Sequence, residues 1–521
     1  MNGAQNLVRM LVAGGIETCF TNPGTSELQI VAALDRRPEM RCVLGLFEGV
    51  VTGAADGYAR MTGKPACTLL HLGPGLANGL ANLHNACRAQ VPIVNIVGQH
   101  ATYHLRHDTP LTADIEAIAR PYSKWLRTSC AASEVGHDAA EAIVAARTAP
   151  GRIATLIVPG DVAWSNVTPS KDDTIAGISA VPQAPVPALE TVEHAAAMLR
   201  SGLRTGLLIA GSALFGKGLA TAGHIAAATG AKLFSPYPFT RMERGTGTPK
   251  VERIHYVLEM AVEQLTEIRQ IILVGASAPV SYFAYPGKNS VLTAPGCEIH
   301  TLARPGEDYV GALEALAAAL SLSLRGTKLP AEKVERPSAP TGEITLQGLA
   351  ATVGALLPED SIVVDESMTS GRGIMAATRE APRHDFLANT GGSIGIAMPL
   401  AVGAAVACPG RRILCLTADG SGMYTSQALW TMAREGLKIT TVVFANRAYA
   451  VLKREFSGLG VGNPGQRAAD LFDIGRPDLD WVLLAKSMGV PGTRAISLDT
   501  FAKALREGFE SQGPMLIEVG L

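Results

Sequence analysis

Residues 412–446 read RILCLTADGSGMYTSQALWTMAREGLKITTVVFAN. The stretch opens on an apolar run, breaks at Asp-Gly-Ser-Gly, continues in helix-forming residues and closes on a second apolar run ending in Ala445-Asn446. Uninterrupted apolar strands flanking a helix are strands buried on both faces, the pattern of a parallel sheet covered by helices. Residues 66–98, ACTLLHLGPGLANGLANLHNACRAQVPIVNIVG, repeat the plan: buried strand, Gly-containing loop, helix of about four turns, buried strand. A small-residue helix precedes each copy, GVVTGAADGYA in one and SIGIAMPLAVGAAVA in the other. The two segments read as a divergent internal duplication. Small residues let backbones approach closely, so these helices are expected to pack at a domain or subunit interface.

Around these copies the chain divides in three. Residues 167–189 and 326–342 are rich in proline and polar residues and lack apolar periodicity, as linkers do. They delimit expected domains at 1–166, 186–326 and 343–521. In the middle segment, TGLLIAG and IRQIILVGA are buried strands, with a helical pattern over 218–229. The expected fold is α/β, three doubly wound parallel-sheet domains, with ligands at the carboxyl ends of strands and between domains.

A chain of 521 residues exceeds one core. With 47% hydrophobic and 17% charged residues, a net charge of −1 and no long basic run, it is a poor partner for nucleic acid or membrane surfaces. No segment offers the roughly 18 apolar residues of a membrane span. The N-terminal MNGAQNLVRMLVAGGIETCF reads as an amphipathic helix running into a strand, not a signal peptide. The eight cysteines form no CxxC pair and read as buried thiols, so a cytoplasmic location is expected.

Two features carry chemistry. Asp419 follows the buried strand RILCLTA, and Asn446 ends the next strand. Parallel strands joined by one helix would project both from one sheet edge. A carboxylate, an amide oxygen and a nearby backbone carbonyl are hard ligands suited to Mg²⁺. Gly420 and Ser421 open the following helix, where free N–H groups favour anions. Taken singly, these residues also read as an N-cap and a strand end. The second feature is Glu48 in LFEGVVTGAADGYARMTG, Leu46 to Gly63. It is the one carboxylate in an apolar or small run, and losing its hydration is costly without a partner.

Six ordered motifs resemble thiamine diphosphate enzymes of the pyruvate oxidase and decarboxylase superfamily. They are FTNPGTSEL, FEGVVTGAADGYARMTGKP, LLHLGPGLANGLANLHNA, TGGSIGIAMP, ADGSGMYTSQALW and ANRAYAVLKREF. Length and detail look closest to benzoylformate decarboxylase, with acetolactate synthase large subunits the other neighbour. The resemblance implies pyrimidine-binding, middle and diphosphate-binding domains, and cofactors thiamine diphosphate and Mg²⁺. Glu48 would hydrogen-bond the cofactor's pyrimidine and promote the tautomer that acts as base, helped by an apolar setting. Ile394 matches the wedge that bends the cofactor, and Gly392 the carbonyl that receives its amine. Asp419, Asn446 and the Ala448 carbonyl would hold Mg²⁺. Gly420, Ser421 and Thr369 would contact diphosphate, and Asn78 and Tyr449 also fall in the cofactor set. Ala418 and Ala445 depart from the family's glycine and asparagine without removing a metal ligand. Family sites form between subunits, so a homodimer or homotetramer is implied, with Glu48 and Asp419 on different chains.

For substrate, His71 matches a proton-relaying histidine and Thr25 a serine that contacts a carboxylate. Read alone, each is a strand-end or turn residue. A second pocket histidine is expected near APVSYFAYPG, residues 278–287, where Tyr282, Phe283 and Tyr285 stand instead. An adjacent histidine pair is also absent, since His100, His104 and His107 are spaced apart. Two decoys are set aside. GSALFGKG, 211–218, ends in glycine where a P-loop needs Ser or Thr. Lys453, Arg454 and Glu455 read as a solvated or subunit-facing helix surface.

The resemblance implies decarboxylation of an aryl or branched 2-oxo acid to aldehyde and CO₂, with carboligase capacity. The alternative is an acetolactate synthase-like carboligase. Against it, those subunits usually carry Gln after the glutamate, where Gly49 stands, and bind FAD, for which the chain shows no signature. A third reading, a non-catalytic cofactor-binding subunit, sits poorly with Glu48, Asp419 and Asn446 together.

Overall fold

The computed structural model describes residues 1–167, 181–323 and 336–521. The core of each expected linker, 168–180 and 324–335, lies outside the described residues. Three sheets dominate. The first runs Arg41–Leu44, Thr18–Asn22, Ala66–Leu70, Ile93–Gln99, Ile153–Pro159, Trp125–Thr128, every pairing parallel. The second runs Val251–Arg253, Lys232–Ser235, Thr205–Ile209, Gln270–Val274, Glu298–Ala303, also parallel. The third runs Gly492–Ala495, Met515–Gly520, Ile439–Ala445, Ile413–Ala418, Ile362–Glu366, His384–Ala388 and ends on Arg241–Arg244.

That last strand corrects the segment-by-segment picture. Arg241–Arg244 comes from the middle of the chain yet pairs antiparallel with His384–Ala388. Half-buried Arg241 and Glu243 alternate with buried Met242 and Arg244, a pattern that suits a sheet edge. The helix read at 218–229 begins earlier, at Gly216. Its first N–H donates to Glu243 Oε2 at 2.8 Å, so a carboxylate of this chain caps the P-loop-like turn.

The duplicated plan holds with one difference. The first copy carries a continuous helix, Leu72–Ala89. In the second, the helical stretch breaks into Asp419–Gly422, Met423–Thr425 and Ala428–Arg434. Glycines at 420 and 422 are poor helix formers, and Tyr449 and Trp481 pack onto them where side chains would stand.

The two small-residue helices, Glu48–Thr62 and Ala397–Ala407, pack on each other within one chain. Gly57 lies against Leu400 O, and Gly403 against Ala54 O, with no room for a Cβ at either. Arg60 pins this junction. It is buried, pairs bidentately with Asp56 at 2.7 Å, and donates to Ala388 O, Thr240 O and Thr390 Oγ1. Of the eight cysteines only Cys19, Cys67 and Cys415 are buried; Cys42 and Cys130 are exposed, contrary to a uniformly buried set. Cys42 lies in the edge strand Arg41–Leu44 and Cys130 just beyond Trp125–Thr128, where apolar neighbours in sequence do not guarantee burial. Among the described residues no helix is long and apolar enough to cross a membrane.

Candidate active site

Parallel pairing puts the carboxyl ends of the first sheet's strands on one rim, and three strand exits there matter. Arg41–Leu44 leads to Glu48, the first residue of its helix. Glu48 is buried, at 7% exposure, and accepts from Asn78 Nδ2 at 3.0 Å and Asn22 Nδ2 at 3.4 Å. The apolar setting expected around it is therefore partly amide-lined. A helix N-terminus and two amide donors are what a buried carboxylate needs.

Ala66–Leu70 exits at His71, followed by Leu72 at φ 51°, a left-handed conformation costly for a branched side chain. His71 Nδ1 lies 2.8 Å from Oε2 of Glu27, which also accepts from Gly24 N at 2.9 Å. Gly24 packs directly beneath the imidazole, where a Cβ would overlap it. Glu27 is fully buried, and its Oε1 has no hydrogen-bond partner among the described residues. Burial pushes its carboxyl above the ordinary range while His71 pulls it back. Thr25, on the same turn, is exposed. His100 follows the Ile93–Gln99 strand, and its ring begins a row with His104 and His107, centroids 5.5 Å apart at each step. Burial, then His104 and His71, hold its pKa below the usual histidine value.

The third sheet presents the second half. Ile413–Ala418 and Ile439–Ala445 are adjacent and parallel, Ala418 opposite Phe444. Asp419 is buried; its Oδ1 accepts from Gly420 N at 2.8 Å and its Oδ2 from Arg447 N at 2.6 Å. Burial raises its pKa against those donors. Asn446 Oδ1 accepts from Ala448 N at 3.0 Å, and its Nδ2 donates to Ser370 Oγ at 3.3 Å. Arg447, at φ 55°, turns the chain between them. Asp419, Asn446 and Ala448 are thus brought together, with lone pairs to spare on hard oxygens, and the set fits Mg²⁺. Among the described residues no group of three or more His, Cys, Asp or Glu is placed to hold a metal ion. Gly420 and Ser421 are buried beside Asp419, with the Tyr449 ring over Gly420. Thr369 is half-buried one residue before Ser370.

Between the halves runs the 389–397 loop, organised by Glu366. This buried carboxylate accepts from Asn389 Nδ2 at 3.0 Å and from Gly395 N and Ala397 N at 3.1 Å. Burial pushes its pKa up to about 7. The loop exposes Gly392, at φ 79°, and leaves Ile394 half-buried. Asn85 grips its back, donating to Ser393 O at 2.9 Å and accepting from Ser393 N at 3.2 Å. Asn85 and Asn78 lie two turns apart on one helix, so Glu48 and this loop share a rigid support within the chain.

Three residues escaped the sequence reading. Glu27 looked like one more polar residue of the NPGTSEL turn, and Glu366 like the end of an apolar strand. The sequence signal for Glu366 was weaker than that for Glu48, since it stands beside Asp365 at the end of its strand. The third is Glu455, expected on a solvated or subunit-facing helix surface. It is instead half-buried and accepts from Tyr285 Oη at 2.7 Å and Arg454 Nη2 at 2.9 Å.

With this geometry in hand, the chain can be compared with known proteins. Residues 1–118 match the N-terminal thiamine pyrophosphate (TPP) binding domain of thiamine pyrophosphate enzymes, and 370–519 the C-terminal one. The chain belongs to this family of thiamine diphosphate-dependent lyases and carboligases. It is 52% identical over 521 residues to a Mycobacterium tuberculosis protein named provisionally as the acetolactate synthase large subunit IlvX, covering 100% of this chain and 99% of that protein. It is 28% identical over 526 residues to benzoylformate decarboxylase of Pseudomonas aeruginosa, 97% and 96% covered. The 4-hydroxybenzoylformate decarboxylase of Rhodococcus jostii RHA1 shares the fold, with a TM-score of 0.87 at 24% identity over 99% and 98% of the chains.

Proposed function

We propose that the protein is a thiamine diphosphate- and Mg²⁺-dependent decarboxylase of aryl or branched 2-oxo acids with carboligase capacity. The observation that carries this reading is the His71–Glu27 pair. Releasing an aldehyde requires a proton delivered to the carbon that lost CO₂, whereas carboligation delivers a second carbonyl compound instead. A histidine oriented through Nδ1 by a buried carboxylate leaves Nε2 free to exchange that proton.

Thiamine diphosphate, when bound, supplies a carbon nucleophile and accepts the electron pair left by departing CO₂. The chain's own residues do the rest. Glu48, with Asn78 and Asn22 fixing its carboxylate, holds or shares a proton with the pyrimidine ring. Asp419, Asn446 and the Ala448 carbonyl hold Mg²⁺, and Gly420, Ser421 and Thr369 face the diphosphate. Gly392 and Ile394 orient the cofactor. Thr25 meets the substrate carboxylate. Assembly as a homodimer or homotetramer brings Glu48 of one chain to the Asp419 half of another, in the cytoplasm.

The second reading, acetolactate synthase-like carboligation, draws on the 52% identical relative. Against it, Gly49 lies under the Phe47 ring with no room for a Cβ, so a glutamine there would displace Phe47. Reconstitution with thiamine diphosphate and Mg²⁺, then pyruvate, benzoylformate and branched 2-oxo acids, separates the readings. Aldehyde as main product supports decarboxylation; acetolactate overturns it. Bound cofactor without turnover leaves a non-catalytic subunit.

A further inference from the structure

Glu366 ends the strand Ile362–Glu366, and its buried carboxylate is met by the 389–397 loop. Every hydrogen-bond partner it has there is a donor: Asn389 Nδ2 at 3.0 Å, and Gly395 N and Ala397 N at 3.1 Å. It makes no ion pair among the described residues. An ionised carboxylate accepts from all of these donors, whereas a protonated one carries an O–H that none of them can receive. The loop is therefore a socket for the charged form.

Asn389 carries this arrangement to the residues placed on the cofactor. Its Nδ2 donates to Glu366 and to Ser393 O at 2.9 Å, while its Oδ1 accepts from Gly392 N at 2.8 Å. Ile394 stands between Ser393, held by Asn389, and Gly395, held by Glu366. Gly392 and Gly395 lie at φ 79° and 92°, in a stretch with no strand or helix ladder to fix it.

We propose that Glu366 is a positioning residue whose ionised carboxylate sets this loop for thiamine diphosphate, so that cofactor affinity is coupled to a proton on a buried group. Glu366 acts through Gly392 and Ile394, and the proposal rests on the reading that they meet the cofactor. Burial pushes its carboxyl up to about 7 against the donors, so at neutral pH part of the protein carries the proton. Its titratable neighbours are Cys415 on Ile413–Ala418, kept a thiol by burial and then by Glu366, and Asp365 on its own strand. Asp385 lies at the other end of its sheet pairing, opposite Ile362. The loop and the helix Ala397–Ala407 carry no titratable group. Binding that selects the ionised form strengthens as pH rises through 7 and releases the proton.

The test is calorimetric titration of thiamine diphosphate into the full-length protein at saturating Mg²⁺, from pH 6 to about 8.5, which needs no turnover. Glu366→Gln keeps the shape and cannot ionise. Its Kd is expected about tenfold above wild type at the alkaline end, the loss of a charged acceptor. At the acid end the ratio should shrink to about twofold, because most wild-type protein is then protonated too. Comparing the two proteins at each pH cancels the cofactor's own titration. Asn389→Ser removes the strut to Gly392 and leaves the buried charge; its Kd should also rise about tenfold. Equal affinity of Glu366→Gln and wild type at alkaline pH overturns the proposal. A ratio that stays constant with pH overturns it as well, since Glu366 would then act by shape alone. Unchanged affinity in Asn389→Ser does the same, and decides the matter should Glu366→Gln not fold. These outcomes leave the decarboxylase reading intact, which binding alone does not test. Wild-type protein that binds no thiamine diphosphate removes the cofactor reading and this proposal together.

Discussion

His71 Nδ1 and Glu27 Oε2, 44 residues apart in sequence, meet at 2.8 Å at the rim of the first sheet. The carboxylate is fully buried and its other oxygen packs on Gly98. An imidazole held this way keeps one orientation and one tautomer. Glu27→Gln keeps the shape and removes the charge. The expected result is a fall in kcat of about tenfold or more, because the imidazole loses the carboxylate acceptor that fixes its tautomer. Thiamine diphosphate affinity should not change. Steady-state kinetics with cofactor titration checks this; an unchanged kcat would mean that Glu27 only fills space.

Glu48 sits at a helix N-terminus with two asparagine amides on its oxygens. Glu48→Gln should lose about 100-fold or more in rate, the scale of a lost general acid–base group. Cofactor should still bind, as followed by tryptophan fluorescence. Near-normal rates would sink the role given to Glu48.

Asp419 holds Gly420 N and Arg447 N even in the bare chain. Asp419→Ala should abolish Mg²⁺-dependent binding of thiamine diphosphate. It should also cost the apo protein about 1–3 kcal/mol, from backbone donors left without an acceptor. Cofactor titration with and without Mg²⁺ and urea unfolding read the two effects separately. Intact Mg²⁺ dependence would exclude Asp419 as a ligand.

Arg60 and Asp56 form a buried pair at the junction of the two small-residue helices. Arg60→Ala strands Asp56 and three acceptors on Thr240, Ala388 and Thr390. A loss of about 3–5 kcal/mol is expected, measured by denaturant unfolding. The double change Arg60→Met with Asp56→Leu should recover part of it, since no buried charge then remains. Failure of the single change to destabilise would contradict the pair's burial.

Stability should depend on pH through two buried groups. His384 is held at about 4, below its ordinary 6.5, by burial. The unfolded chain binds the extra proton between those values, so stability falls as pH drops through that window. Glu366 is raised from 4.5 to about 7, again by burial. Here the native state binds more protons, so its contribution is present below 4.5 and lost as pH rises through 7. The effects oppose each other between 4.5 and 6.5 and part above it. Glu366→Gln should flatten the decline near neutrality, and His384→Phe the loss on the acid side, in urea titrations across pH.

How much of this was legible beforehand follows from the range of each interaction. The strand–loop–helix–strand plan, Asp419 beside Gly420, Asn446 at a strand end and Glu48 at a helix start are all short-range patterns. Period and composition over a few residues specify them, because burial on both faces and free helix N–H groups are local requirements. The sequence alone therefore determined the α/β class and the family resemblance, which the comparisons bore out. It also located both halves of the candidate site.

Tertiary structure decided what meets what. It placed the buried Glu27 under His71, folded the 389–397 loop around Glu366, brought Tyr282 against Gly392 and lent Arg241–Arg244 to a distant sheet. Each joins segments 23 or more residues apart whose local patterns carry no trace of the partner. A carboxylate in a turn looks the same whether solvent or a histidine lies beyond it. Only packing removes the water and fixes the difference.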